Sequence, residues 1–280
     1  MNIRMNKVVL SFLVCISASS AFAKIEAVLG NVALKSNPNI ASLPTTNESE
    51  IIISRDQYVI SYNKNHRSPN WVSWKLEASD LGNSGRTNKF SQDSDLETYL
   101  TKKNQGHAVA PEEYAGSCFD RGHQIPSADR TDNREDNQAT FMMSNMIPQT
   151  PYLNRVIWEH LENYERTLVR SGKKLYIVAG PIFDLDFGAI GTNSDILVPS
   201  KDFKVIFILD ADQTAADITA NTPTVAVIMP NTLEDGSQSP VESKSCPSFS
   251  SPKSGNMNDW QQYKTSISDV EQLSGISFNL

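Results

Sequence analysis

Cysteine and histidine are scarce, with three of one and four of the other in 280 residues. No Cys/His cluster has zinc spacing, which excludes a zinc cage. No Gly-rich phosphate loop and no Gly-x-Ser-x-Gly run occurs, so neither a P-loop nucleotide hydrolase nor a serine-hydrolase elbow is indicated. Positive charge is in deficit: 25 Lys and Arg stand against 32 Asp and Glu, a formal net charge of −7. Proteins that hold polyanions through a broad electrostatic footprint are usually basic. Any polyanion chemistry here must therefore come from a local cationic site and a bound metal. Beyond the N-terminus no apolar run approaches the ~20 residues that cross a bilayer, so no membrane anchor is expected.

What is present begins with Arg4 and Lys7, an apolar run over 8–16, and a close on Ala21-Phe22-Ala23. That order is a secretory signal peptide cleaved after Ala23, and the apolar run is too short to span a membrane. The expected location is therefore secreted or periplasmic. Cys15 leaves with the leader. The remaining 257 residues carry 23 basic side chains against 32 acidic ones, a net charge near −9. That length suits one large domain. Cys118 and Cys246 remain, either as buried thiols or as one bridge across a long loop. An oxidising compartment favours the bridge, which would brace the chain entering residue 120.

Residues 24–49 are rich in Ser, Asn, Pro and Thr and read as a loosely ordered arm, leaving 50–280 as a single domain. Strand signals fall at 51–53, 58–62 and 71–77. In the last of these Val72, Trp74 and Leu76 face a core, while Ser73, Lys75 and Glu77 face away. Residues 80–95 are loop-like, and 96–102 are a short helical or irregular segment. Residues 119–124 run from a strand into a glycine turn, and 137–143 form a short helix or strand. Residues 153–170 carry the best helix, with Pro151 ahead of it and Gly172 behind. Strands follow at 176–179, 204–209 and 224–229, then a Ser/Pro/Gly-rich loop at 231–256. Residues 259–273 return to helical spacing at Trp260, Tyr263, Ile267, Val270 and Leu273. Strands interleaved irregularly with helices imply an α+β fold with a largely antiparallel sheet.

Two patches carry chemistry. In Asp120-Arg121-Gly122-His123 an imidazole, suited to taking a proton from water near neutral pH, lies two residues from a guanidinium that forks onto phosphate. A lone loop histidine is more often structural; its neighbours change the odds. Gly122 lets the backbone turn where a side chain would obstruct. The second patch runs from Ser144-Asn145-Met146 into the helix. There Asn154, Trp158, Leu161 and Glu162 share one face at ~100° per residue. Asn154 and Glu162 offer hard oxygens of the kind Mg²⁺ prefers. His160 points elsewhere.

These residues, in order, resemble a known family. Asp120-Arg121-Gly122-His123-Gln124-x-Pro126, Ala128-Asp129, Ser144-Asn145-Met146-x-Pro148-Gln149, Leu153-Asn154 and Trp158 with Leu161-Glu162 are similar to the sugar-nonspecific DNA/RNA endonucleases of the Serratia nuclease and endonuclease G type. Gly180-Pro181-Ile182, Val198-Pro199-Ser200, Phe203-Lys204-Val205, Pro230-Asn231 and Trp260 through Phe278 extend the match, which runs from residue 58 to the C-terminus. The resemblance implies a ββα-metal finger (the His-Me finger) on a largely antiparallel central sheet flanked by helices. It implies His123 as general base. It makes Asn154 the protein ligand of one Mg²⁺, with Mn²⁺ a possible substitute, and Glu162 a holder of metal-bound water. Asn145 would place the base and the substrate, and Arg121 would contact phosphate. Arg86, in Gly85-Arg86-Thr87, matches the upstream arginine that steadies transition-state charge. DNA and RNA are the implied substrates. None of these groups reads a base or a 2′-hydroxyl.

Two rivals share the fold. A catalytically silent nucleic-acid-binding module would bind without metal and lose affinity steeply with salt. A small-substrate phosphodiesterase would turn over bis-nitrophenyl phosphate better than long DNA.

Overall fold

The computed structural model describes residues 24–28, 50–241, 246–250, 256–278 and 280. The expected leader, 1–23, lies outside them, as does most of the expected arm. Within that arm Lys24–Val28 forms strand β1, paired antiparallel with β2 (Glu50–Ser54). β3 (Val59–Asn63) and β4 (Ser68–Leu76) follow, then α1 (Ser94–Lys102), whose N-cap Asp93 accepts from the Asp95 and Leu96 amides. A short ribbon is made of β5 (Asp120–His123) and β6 (Met146–Gln149), with α2 (Arg134–Ala139) between them in sequence. A π-helical turn, Leu153–Ile157, opens into α3 (Trp158–Arg170). The remaining elements are β7 (Lys173–Ile182), the small ribbon β8 (Ala189–Ile190) and β9 (Ile196–Leu197), β10 (Lys201–Asp210), β11 (Thr224–Pro230), β12 (Lys264–Thr265) and α4 (Ile267–Ser274). The main sheet has the order β1-β2-β3-β4-β7-β10-β11-β12 with every pairing antiparallel.

The central strands β4, β7 and β10 are buried on both faces, so alternate residues feed two cores. Val72, Trp74, Leu76, Ile177, Ala179 and Ile206 meet Trp158, Leu161 and Val169 of α3. Trp71, Val178, Phe203, Val205 and Phe207 form the other core with Val270 of α4, Ile276 and Phe278. Each large side chain taken out of water in this way contributes roughly 1.5–3 kcal/mol. Double coverage explains one departure from the alternation: Ser73, expected to face solvent, is buried on the second face.

The C-terminal region departs further. Its helical spacing predicts one helix, but the chain makes a 3₁₀ turn over Asp259–Tyr263, pairs briefly as β12, and starts α4 only after Ser266, whose hydroxyl caps the Asp269 amide. Trp260 packs in the α3-side core and Val270 in the opposite one. One straight helix cannot serve both faces of a sheet; the β12 crossing at the edge of β11 does.

Candidate active site

The ribbon and the start of α3 bring the two sequence patches together. Asp120 lies opposite Gln149 and His123 opposite Met146, so the Asp-Arg-Gly-His run and the Met-Ile-Pro-Gln run are the two strands of one antiparallel pair. Beneath them Val109, Tyr114, Phe119, Met143, Met146 and Ile196 form a third apolar cluster. Gly122 sits inside β5, not in a turn, and its role differs from the expected one: a Cβ there would collide with the side chain of Gln149, which is fully buried and bonded to Asp202. The glycine is required by close approach, not by backbone freedom.

His123 is 7% exposed and lies between the rings of Phe90 and Phe141, at centroid distances of 5.5 and 4.9 Å. Its imidazole hydrogen-bonds the Arg121 backbone, and Nε2 has no partner. Burial first, then the charges of Arg86 and Arg121, push its pKa down to about 3. The ring is therefore neutral at physiological pH, the state in which it accepts a proton.

The two arginines stand one aromatic ring away. Arg121 stacks on Phe90 at 4.0 Å and Arg86 on Phe141 at 4.9 Å. Arg86 donates to Asn88 Oδ1 and Ser127 Oγ, both at 2.7 Å. Neither meets a carboxylate within ion-pair distance among the described residues, so both charges remain available to an anion. Together with Asp120, Asn154 and Arg155 they line a cleft of about 340 Å³. Arg86 and Arg121, the two cleft guanidinium groups without a carboxylate, supply the local cationic site that the acidic composition requires.

Asn154 lies in the π-helical turn at the foot of α3, a widening that often marks functional sites. Its Nδ2 donates to Asp120 Oδ2 at 2.8 Å. An ionised carboxylate only accepts, which fixes the amide orientation and leaves Oδ1 for a ligand. Glu162 does not line the cleft; its side chain is 12% exposed, beside Arg166 at 3.9 Å, and its charge acts on Arg86. Burial raises its pKa to about 7, against the pull of Lys204 and Arg166. An amide oxygen and a nearby carboxylate suit a hard cation that keeps most of its waters. Among the described residues no group of three or more His, Cys, Asp or Glu forms a cage.

Asn145 corrects the sequence reading in part. It is fully buried; Oδ1 accepts from the Ile125 amide and Nδ2 donates to the Ile125 and Thr140 carbonyls at 3.0 and 2.9 Å. Its amide is committed to the chain that follows His123 and to Thr140, which leaves no side-chain atom free for a substrate contact. Asp129 anchors the same loop by accepting from Trp74 Nε1 and Arg166 Nη1. Lys204, in the expected Phe203-Lys204-Val205 run, is wholly buried against Glu165 at 3.1 Å and over Trp158, tying α3 to β10. Asn231 bonds Thr150, Pro148 and Pro199 and buttresses β6.

The sequence match extends to a family model. Residues 35–280 fit the model described as DNA/RNA non-specific endonuclease. The chain belongs to that family. A nuclease of Nostoc sp. is 38% identical over 248 residues, 88% of this chain and 79% of its own length. The nuclease of Serratia marcescens is 33% identical over 172 residues, 59% of this chain and 61% of its own. Human mitochondrial endonuclease G is 32% identical over 167 residues, 55% and 54% of the two chains. EndoG in the crystal structure of the EndoG/EndoGI complex shares the fold at a TM-score of 0.62 and 24% identity, over 81% of this chain and 84% of that one. The chain is thus a metal-dependent endonuclease whose ribbon and α3 form the ββα-metal finger, and its substrates are nucleic acids.

Sequence reasoning gave no role to Asp120 or Arg155, nor to the Phe90 and Phe141 rings. Arg155 engages Asp120 with two bonds, Nε to Oδ2 at 2.7 Å and Nη2 to Oδ1 at 2.5 Å. Only the adjacency of Arg155 to Asn154 signalled it. The Cys118–Cys246 disulfide is present, Cα atoms 5.2 Å apart, and brings Phe249 to 5.8 Å from the Arg155 guanidinium.

Proposed function

We propose that this nuclease is exported and hydrolyses phosphodiester bonds of DNA and RNA, with His123 as general base and Mg²⁺ held by Asn154. The observation that carries the reading is the buried, unpartnered Nε2 of His123 between two arginines that have no carboxylate partner. A substrate phosphate received by Arg86 and Arg121 offsets the two charges that depress the imidazole, so binding itself makes His123 a stronger base. The attacking water then gives its proton to Nε2, a step worth about 10²–10⁴ in rate. The arginines stabilise the charge gathering on the phosphate without reorganising. A bound Mg²⁺, or Mn²⁺ in its place, supplies Lewis-acid stabilisation of the phosphate oxygens. Asn154 Oδ1 would hold it, and Glu162 would hold its water. Groups that grip phosphate select no base, which favours low sequence preference on both nucleic acids.

Export rests on the leader pattern at 1–23 and is supported by the disulfide, which suits an oxidising compartment. The mass of protein recovered from periplasm or medium should correspond to a chain starting at Lys24. The chemistry is tested by His123→Ala with plasmid DNA and with RNA, each with Mg²⁺ and with chelator. Cleavage should vanish while circular dichroism is unchanged; a folded His123→Ala protein that still cuts would remove the general base.

A further inference from the structure

The Asp120 carboxylate is an odd neighbour for a cation site. It lines the same cleft as Asn154 and, bare, would be a better ligand for a divalent ion than an amide oxygen. It is not bare. Arg155 covers both of its oxygens, and Oδ2 also receives Asn154 Nδ2. This pairing does two things at once. It neutralises the carboxylate that lines the cleft among the described residues, and it holds that carboxylate in the pose that engages Asn154 Nδ2 and leaves the amide oxygen for a ligand. Arg155 lies outside the protein interior, its side chain about half exposed (52%), so solvent screening leaves its ion pair little value as a stability element. Its geometry is nevertheless the bidentate fork that fixes a carboxylate plane.

We propose that Arg155 is a positioning residue for the cation site: by occupying Asp120 it keeps that carboxylate from becoming a ligand and fixes Asn154 Oδ1 as the donor. The cation is then held weakly, by one neutral oxygen and water, and its position is set by the amide. Without Arg155 the Asp120 carboxylate is released beside the ion, and a nearby positive charge is removed. Both changes favour the cation electrostatically, while the geometry needed for turnover is lost. The proposal rests on the reading of Asn154 as the cation-holding residue.

The test is Arg155→Gln in the full mature protein, with Mn²⁺ binding measured by calorimetry in the absence of nucleic acid, and kcat and KM measured on a defined oligonucleotide at saturating Mg²⁺. Mn²⁺ should bind more tightly, up to about tenfold. In the same variant kcat should fall about 10–100-fold, the usual cost of losing a residue that orients a ligand, with KM nearly unchanged. The tightening should disappear in Asp120→Asn/Arg155→Gln, which has no carboxylate to release. Arg155→Lys, which keeps charge but loses the fork, should fall between wild type and Gln in kcat. A raised KM with unchanged Mn²⁺ binding would overturn the proposal and make Arg155 a phosphate contact; unchanged or weaker Mn²⁺ binding overturns it in any case. If the wild type binds no Mn²⁺ and cuts DNA in excess chelator, the cation reading itself fails and the proposal falls with it. A wild type that needs the cation isolates the failure to Arg155.

Discussion

The ring of His123 meets that of Phe141 edge-on, at 85° and 4.9 Å between centroids, and Arg86 lies over the same phenyl ring. Phe141 thus holds a cation and a base on one aromatic spacer, near enough to interact electrostatically and too far apart to bond. Phe90 does the same for Arg121.

This arrangement has a pH signature. The folded His123 titrates at about 3 and an ordinary histidine at about 6.5. Between those values the unfolded chain binds a proton that the folded one refuses, so His123 costs stability increasingly as pH falls from 6.5 toward 3. The penalty is absent above pH 6.5 and approaches 1.4 kcal/mol per pH unit within the window. His123→Ala should therefore gain on wild type by on the order of 2 kcal/mol between pH 7.5 and 4.5. Urea midpoints of both proteins at the two pH values measure it. The comparison between variants matters because Glu165 and Asp202, raised to about 7 by burial, slope the other way and are common to both. Equal pH slopes would contradict a buried, neutral His123.

Gly122→Ala should be destabilising by about 1–3 kcal/mol, the range for forcing atoms into a packed site. The added Cβ meets Gln149, which cannot withdraw without leaving Asp202. A turn glycine would behave differently, since the strain there lies in the backbone. Gln149→Ala combined with Gly122→Ala should recover part of the loss, and thermal melts of the single and double variants reveal whether it does.

Cys118→Ser/Cys246→Ser opens a loop with a sequence separation of 128. Chain-entropy arguments put the loss at about 2–5 kcal/mol. A urea midpoint that falls in the oxidised wild type on adding reductant, and does not move further in the double variant, is the expected outcome.

How much of this was legible beforehand differs residue by residue. The strand at 71–77 and the helix at 153–170 that stops ahead of Gly172 follow from alternation, period and punctuation, which are local properties of the chain. His123 stood out because histidine is scarce and an arginine lies two residues away, while Asn154 and Glu162 were singled out by a shared helix face and by an ordered spacing that matched one family. Asn145 was visible as part of the pattern, but its burial was not, because burial depends on what folds over a residue.

The sequence by itself determined the composition limits, the alternation that builds the sheet and the side chains able to do phosphodiester chemistry. Only the tertiary structure decided that Trp260 and Val270 serve opposite faces of the sheet and that Gly122 yields space to Gln149. It alone set Asp120, 34 residues from Asn154 in the chain, against the Asn154 amide. Each of these depends on atoms far apart in sequence arriving within a few ångströms, and no local period or motif encodes such an approach.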